Sequence, residues 1–144
     1  MSYALHPPML DGMGLVPALH WYFDGLMKRS NLRIILEAPR EMVPLAEVDA
    51  TLFRIVQESM SNILRHSGAN TAQVRLERDS KCVRMSIEDN GHGMGVDSLS
   101  GVGNGASLGV GIAGMHERVR QFGGKFEIRS GSTGTTVLVS VPVS

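Results

Sequence analysis

The sequence predicts an α+β fold, a two-layer α/β sandwich in which a mixed, mainly antiparallel sheet carries about three helices on one face and a flexible lid. Three observations predict it. Two pairs of short segments, at 72–89 and 125–141, alternate apolar and polar residues on either side of a turn. Three other stretches repeat apolar residues at helical spacing. Finally, seven of the 17 glycines fall between Gly91 and Gly109, a density that suits a functional loop better than a packed element. Strand pairs interrupted by single helices put the helices on one face of a sheet.

A chain of 144 residues supports one domain with a real hydrophobic core and is short for two. Lys plus Arg and Asp plus Glu balance at 14 each, so no basic excess points to nucleic acid as a partner. Apolar runs are far shorter than the roughly 20 residues of a membrane span, and the N-terminus lacks a signal pattern. The expectation is a soluble, cytoplasmic segment making no direct membrane contact, with inner-membrane anchoring of a longer parent left open. The single Cys82 cannot form an internal disulfide and reads as a small hydrophobe.

Residues 1–14 hold Pro7-Pro8 and Asp11-Gly12-Met13-Gly14, a cluster of breakers expected to be a connector. From Leu15 to about Arg29, Leu15, Leu19, Tyr22, Phe23 and Leu26 recur at helical spacing. Arg33 to Glu37 is a short apolar strand, and Pro39 and Pro44 keep the next link irregular. The longest helix is expected from about Glu47 to His66, with Leu52, Ile55, Val56, Met60 and Ile63 buried and Ser67-Gly68-Ala69 ending it. Two strands follow, joined at Asp79-Ser80. Gly91 to Leu108 is expected to be irregular, a lid. Helical periodicity resumes with Ile112, Met115, Val119 and Phe122, preceded by Gly109-Val110-Gly111 and stopped by Gly123-Gly124. Lys125 to Arg129 and Thr135 to Val141 form the last hairpin.

Three clusters could carry chemistry. Glu58, Asn62 and His66 sit at i, i+4 and i+8 and form one ridge bordering the apolar stripe, with Arg65 beside it. Alone, they equally suit a solvated helix border, and His66 a favourable place near a helix C-terminus. Asp89 closes a strand on which Val83, Met85 and Ile87 face the core, so by parity its carboxylate also faces inward. An unpaired buried charge costs several kcal/mol, which leaves an Asx-type cap on the Asn90-Gly91 bend or an acceptor for a ligand. Gly109 to Gly114 open a helix, where unpaired N–H groups and the dipole favour an anion such as phosphate. That segment matches G-x-G-x-x-G, but no strand immediately precedes it as a dinucleotide site requires, and the G-x-x-x-x-G-K-[ST] phosphate loop is absent.

In this order the clusters resemble the ATP-binding catalytic domain of bacterial two-component sensor histidine kinases, within the gyrase, Hsp90, histidine kinase and MutL ATPase superfamily. Gln57-Glu58-Ser59-Met60-Ser61-Asn62-Ile63-Leu64-Arg65-His66-Ser67 is similar to the N box, Asp89 to Gly95 to the G1 box and Gly109 to Gly114 to the G2 box. Gly134-Thr135-Thr136-Val137 resembles the closing strand whose Thr supports the adenine-binding Asp. "HPPMLDGMGL", "RHSGA" and "GIAGMHERV" are similar to the subgroup paired with NarL-type response regulators.

The resemblance implies the Bergerat version of the predicted sandwich, with ATP and Mg²⁺ as cofactors. Residue by residue it implies that Asn62 holds Mg²⁺, that Asp89 accepts a hydrogen bond from the adenine amino group and that Thr135 assists. Arg65 and His66 would approach the phosphates. Gly91, Gly93 and Met94 would shape the pocket, and Gly109, Val110 and Gly111 would lie beneath the phosphates. Glu58 completes the catalytic candidates, although its role as a general base in ATPase relatives does not carry over to a kinase whose acceptor is a histidine. The implied activity is that of an ATP-dependent protein histidine kinase catalytic domain, residues 15–144, supplying the γ-phosphoryl group to a histidine on a separate dimerisation domain and thence to a response regulator. Neither His6, in the connector, nor His20, on the first helix, matches that acceptor, so the segment is expected to bind ATP yet not to autophosphorylate by itself. The competing expectations are a nucleotide-binding regulatory module and an anti-sigma-factor-like serine kinase of the same superfamily.

Overall fold

The computed structural model describes residues 14–40, 45–91, 106–131 and 134–143, without the side chains of residues 66, 67 and 106–112. Their order is α1 (Leu15–Arg29), β1 (Arg33–Glu37), α2 (Ala46–Asn62), a π-helical turn (Ile63–Ser67), β2 (Thr71–Arg78), β3 (Cys82–Asp89), α3 (Ala106–Gln121), β4 (Lys125–Gly131) and β5 (Gly134–Pro142). The strands form one sheet in the order β1-β2-β3-β5-β4. Only β1 and β2 run parallel; the other three pairings are antiparallel, giving the expected mixed and mainly antiparallel sheet.

Strict alternation on β2, β3 and β5 buries one face of that sheet. Cross-strand rows such as Val74–Ile87–Val137 and Leu76–Met85–Val139 lie on it. The helices supply Leu19 and Phe23 from α1, Leu52, Phe53, Ile55, Val56 and Met60 from α2, and Met115 and Val119 from α3 to the same core. Each full burial of such a side chain is worth roughly 1.5–3 kcal/mol. A T-shaped contact between Tyr22 and Phe53, with ring centroids 5.5 Å apart, fixes α1 against α2. The opposite face is polar, with exposed pairs such as Arg75–Glu37 at 2.8 Å that add little stability.

Three expectations change. The helix expected over Glu47 to His66 is α-helical only through Asn62; its last turn takes i→i+5 bonding and ends at Gly68, whose φ of 68° suits a residue without Cβ. Neither the apolar period nor the capping residues of the sequence distinguish these two kinds of turn. α3 begins at Ala106, so Gly109, Val110 and Gly111 lie inside the helix rather than ahead of it, and the irregular stretch stops before Leu108. Leu108 is in phase with Ile112, Met115 and Val119, a signal that extends the helix back by a turn despite its glycines. The closing strands also reach further, to Gly131 and from Gly134, because their ladder continues through Ser130–Thr135 and Gly131–Gly134. Most of the expected connector and of the expected lid, including Gly93 and Met94, lies outside the described residues.

Candidate functional site

The end of the sheet at which β2 begins and β3 finishes carries Asp89 and Thr135, and the π-helical turn that follows Asn62 leads into it. Ala72 pairs with Asp89, and Glu88 with Thr136, so Thr135 comes beside Asp89 one residue further along. Asp89 therefore lies on the helix-covered face, as strand parity requires, one row beyond Val74–Ile87–Val137. It is half-buried, and its Oδ1 accepts the Gly91 amide at 2.9 Å. Turn cap and inward carboxylate, alternatives on sequence alone, thus coexist in one side chain. Thr135 is buried, and its hydroxyl lies 3.1 Å from that of Ser130 across the β4–β5 ladder.

β5 approaches the backbone of Asp89 closely. Gly134 has a φ of 142°, and a Cβ there would overlap the Asp89 carbonyl oxygen. Glycine lets the backbone pass where any other residue would push β3 and β5 apart.

From α2 the site receives Asn62, buried at 7% exposure where the α-helix gives way to the π-helical turn. Such insertions recur at functional sites because they re-aim side chains without ending the helix. The i, i+4 ridge holds from Glu58 to Asn62, both on α2, and the turn that follows changes the phase of Arg65 and residue 66. Arg65 is exposed, and its Nε and guanidinium NH2 donate to Ser61 Oγ at 3.2 and 2.8 Å, which holds it along its own helix. Glu58 is half-buried. Burial pushes the Tyr22 hydroxyl up to about 12, with Arg29 opposing and the negative charge of Glu58 adding to the rise, so this phenol stays protonated beside the N-terminal half of the ridge.

Sequence reasoning gave Asn90 no role beyond the bend, and Asn70 none. Asn90 Oδ1 accepts the amides of Asn70 at 3.1 Å and Thr71 at 3.0 Å, while its Nδ2 donates to Asn70 Oδ1 at 2.7 Å. Thr71 Oγ1 donates to the same Asn70 oxygen at 3.1 Å. An Asn directly after a strand-ending Asp was the available signal, but its partner lies 20 residues back.

A neutral amide such as that of Asn62 is a weak, oxygen-only ligand. It suits Mg²⁺, whose shell is completed by phosphates and water, better than a site that sequesters a metal through protein groups. Among the described residues no group of three or more His, Cys, Asp or Glu could hold a metal ion. Backbone amides in the first turn of α3 have no partner within the helix and can meet an anion. Glu58 and Asn62 are thus placed on α2, Asp89 and Gly91 at the end of β3 and Thr135 on β5, three elements of one framework; Arg65 is turned along its own helix, and Gly109, Val110 and Gly111 are placed by backbone alone.

Comparison with known proteins gives a consistent picture. The family model described as histidine kinase-, DNA gyrase B-, and HSP90-like ATPase matches residues 47–144. The chain is 34% identical over its whole length to the sensor histidine kinase MctS of Rhizobium johnstonii, of which it covers 31%. It is 33% identical over 99% of its length to the sensor histidine kinase NarS of Mycobacterium tuberculosis, covering 32% of that protein. The chain therefore spans about a third of the length of these curated relatives. Among solved structures, the histidine kinase domain of the blue-light activated histidine kinase from Erythrobacter litoralis EL346 superposes with a TM-score of 0.66 at 22% identity, over 88% of this chain and 58% of that one. That likeness establishes the fold.

Proposed function

Because this chain belongs to the histidine kinase-, DNA gyrase B- and HSP90-like ATPase family, we propose that it binds MgATP and supplies the γ-phosphoryl group to a histidine on a separate dimerisation domain. In this reading the phosphohistidine passes its phosphoryl group to a response regulator, and residues 1–14 connect to the dimerisation domain. The names of the relatives MctS and NarS support a sensor-kinase setting. The observation that carries the proposal is the inward-facing Asp89, held by Gly91 and flanked by Thr135 at the open end of an otherwise apolar sheet face.

Asp89 accepts the adenine amino hydrogen, while apolar neighbours exclude water from that bond and raise its selectivity. Thr135 and Ser130 keep a hydroxyl pair at the rim of the base. Asn62 presents its amide oxygen to Mg²⁺, which neutralises phosphate charge when bound. Arg65 swings from Ser61 to meet phosphate oxygens together with His66, and the open amides at the positive end of α3 are those of its first turn, ahead of Gly109, Val110 and Gly111, whose own amides fall within the i→i−4 ladder. By the resemblance, Gly93 and Met94 would contribute to the pocket together with Gly91. Catalysis on this reading is positioning and charge neutralisation, with no protein nucleophile in this domain. Glu58, half-buried on α2 one turn before Asn62, is a catalytic candidate without the general-base role of the ATPase relatives.

The test supplies the chain with labelled ATP, Mg²⁺ and a dimerisation domain taken from a sensor kinase relative. Acid-labile label on the added domain is the expected result. Tight ATP binding without transfer to any such domain sinks the kinase reading and leaves a nucleotide-binding regulatory module.

A further inference from the structure

The side chain of Asn90 does more than tolerate a bend. All of its hydrogen-bonding groups are directed to one place, the Asn70–Thr71 link that leads out of the π-helical turn and into β2. Its own amide continues the attachment by donating to the Thr71 carbonyl at 3.2 Å. The Asn70 carbonyl in turn accepts the Arg33 amide at 2.9 Å, so the clipped link is also seated on the start of β1. Both side chains are exposed, and a network of four bonds among exposed groups is ordered only because it closes on itself.

Its position gives it a consequence. Asp89 immediately precedes Asn90, and Asn62 precedes the π-helical turn whose exit Asn90 holds. In an α-helix each residue turns by about 100°, so relaxation of the π-helical turn to α geometry would rotate everything beyond Asn62 relative to the sheet. A fixed exit prevents that relaxation, since the chain must arrive at Asn70 in one register.

We propose that Asn90 and Asn70 form a positioning pair that sets the separation and mutual orientation of the two ends of the nucleotide site, the base acceptor Asp89 and the metal-side residues Asn62 and Arg65. The proposal rests on the MgATP reading above. Ligands that engage one end only do not use the pair, whereas a ligand that spans both ends does.

Calorimetric titration of the whole chain with adenosine, with ATP in chelator and with MgATP separates these cases. Asn90→Ala is expected to leave adenosine affinity within about twofold, to weaken MgATP about tenfold and to reduce the gain that Mg²⁺ gives to ATP. Asn70→Ala, which removes only the Asn70 Oδ1 acceptor and keeps both amide bonds to Asn90 Oδ1, should show the same pattern with a smaller loss, and the double variant should be no worse than Asn90→Ala alone. Asn70→Asp keeps an acceptor for Asn90 Nδ2 and Thr71 Oγ1 and should bind MgATP as the wild type does, including when Asn90→Ala folds poorly. Equal losses of adenosine and MgATP in Asn90→Ala would make the pair a general support of the fold and overturn the proposal, as would unchanged MgATP binding. A wild-type chain that binds no nucleotide overturns the MgATP reading itself; wild-type binding that Asn90→Ala and Asn70→Ala leave untouched overturns the positioning pair alone.

Discussion

Gly134 passes Asp89 so closely that a side chain at 134 would occupy the space of the Asp89 carbonyl oxygen. The φ of 142° adds a second reason for glycine, since L-residues are strained there. Gly134→Ala should lower the free energy of unfolding in urea by about 2 kcal/mol or more. Where the variant is folded, its ATP affinity should also fall, because β3 can yield only by moving Asp89.

Removing the Asp89 charge tests the base end without disturbing the backbone. Asn at this position keeps an acceptor for the Gly91 amide but adds donors that cannot meet the adenine amino group. Asp89→Asn should weaken ATP by at least about tenfold, the loss expected for a hydrogen bond to a charged group, and should erode the preference for ATP over GTP. Competition binding and a thermal melt unchanged from wild type are the measurements; undiminished ATP affinity would remove Asp89 from the site.

At the metal end, Asn62→Ala should abolish the Mg²⁺-dependent part of ATP affinity while leaving adenosine binding intact. Asn62→Asp, which retains an oxygen ligand, should keep a response to Mg²⁺. Titrations with and without chelator distinguish these outcomes, and equal Mg²⁺ dependence in all three proteins would refute the assignment.

Asp49 is buried in the first turns of α2, where Oδ2 accepts the Leu45 amide at 3.1 Å and Oδ1 has no hydrogen-bond partner. Burial lifts its carboxyl above the usual 3.8, against the Leu45 amide and the charge of Arg78, which act the other way. A folded pKa above the unfolded one favours the protonated carboxyl in the folded state. That contribution is fully present below the unfolded value of 3.8 and is lost as pH rises through the folded value. Asp49→Asn retains an acceptor for Leu45 and should raise the melting temperature at neutral pH, with the advantage closing as pH falls toward 4.

Asp79 gives the opposite dependence. Its Oδ1 accepts the Lys81 and Cys82 amides at 2.8 and 2.9 Å, and these two bonds, helped by Arg84, hold the carboxyl down at about 2. A depressed folded pKa stabilises the fold above the unfolded value of 3.8 and loses that contribution as pH falls toward 2. Asp79→Ala should melt below the wild type at neutral pH, and the two melting curves should converge between pH 4 and 2.

Periodicity carried most of this architecture into the sequence. Leu15–Arg29 and Arg33–Glu37 have the expected bounds, and the hairpins at 71–89 and 125–142 follow from alternation together with Asp79-Ser80 and Gly134. Strand parity also placed Asp89 on the covered face. What periodicity could not register is a change of hydrogen-bond spacing at constant composition, as between Met60 and Ser67, where the same apolar residues serve either an α or a π turn. Nor could it register a pairing across 20 residues, such as Asn70 with Asn90, since neither residue is unusual in its own neighbourhood. The early start of α3 was legible in Leu108 but outweighed by adjacent glycines, which cost a helix about 1 kcal/mol each and still fit one whose core contacts continue at Met115 and Val119.

The parallel pairing of β1 with β2 makes α2 a crossover whose two ends are both fastened to the same sheet. The Arg33–Asn70 bond ties those two strands together at the site end. Asn62, which opens the turn that leads to this tie, is therefore referenced to the same two strands that begin the site end of the sheet.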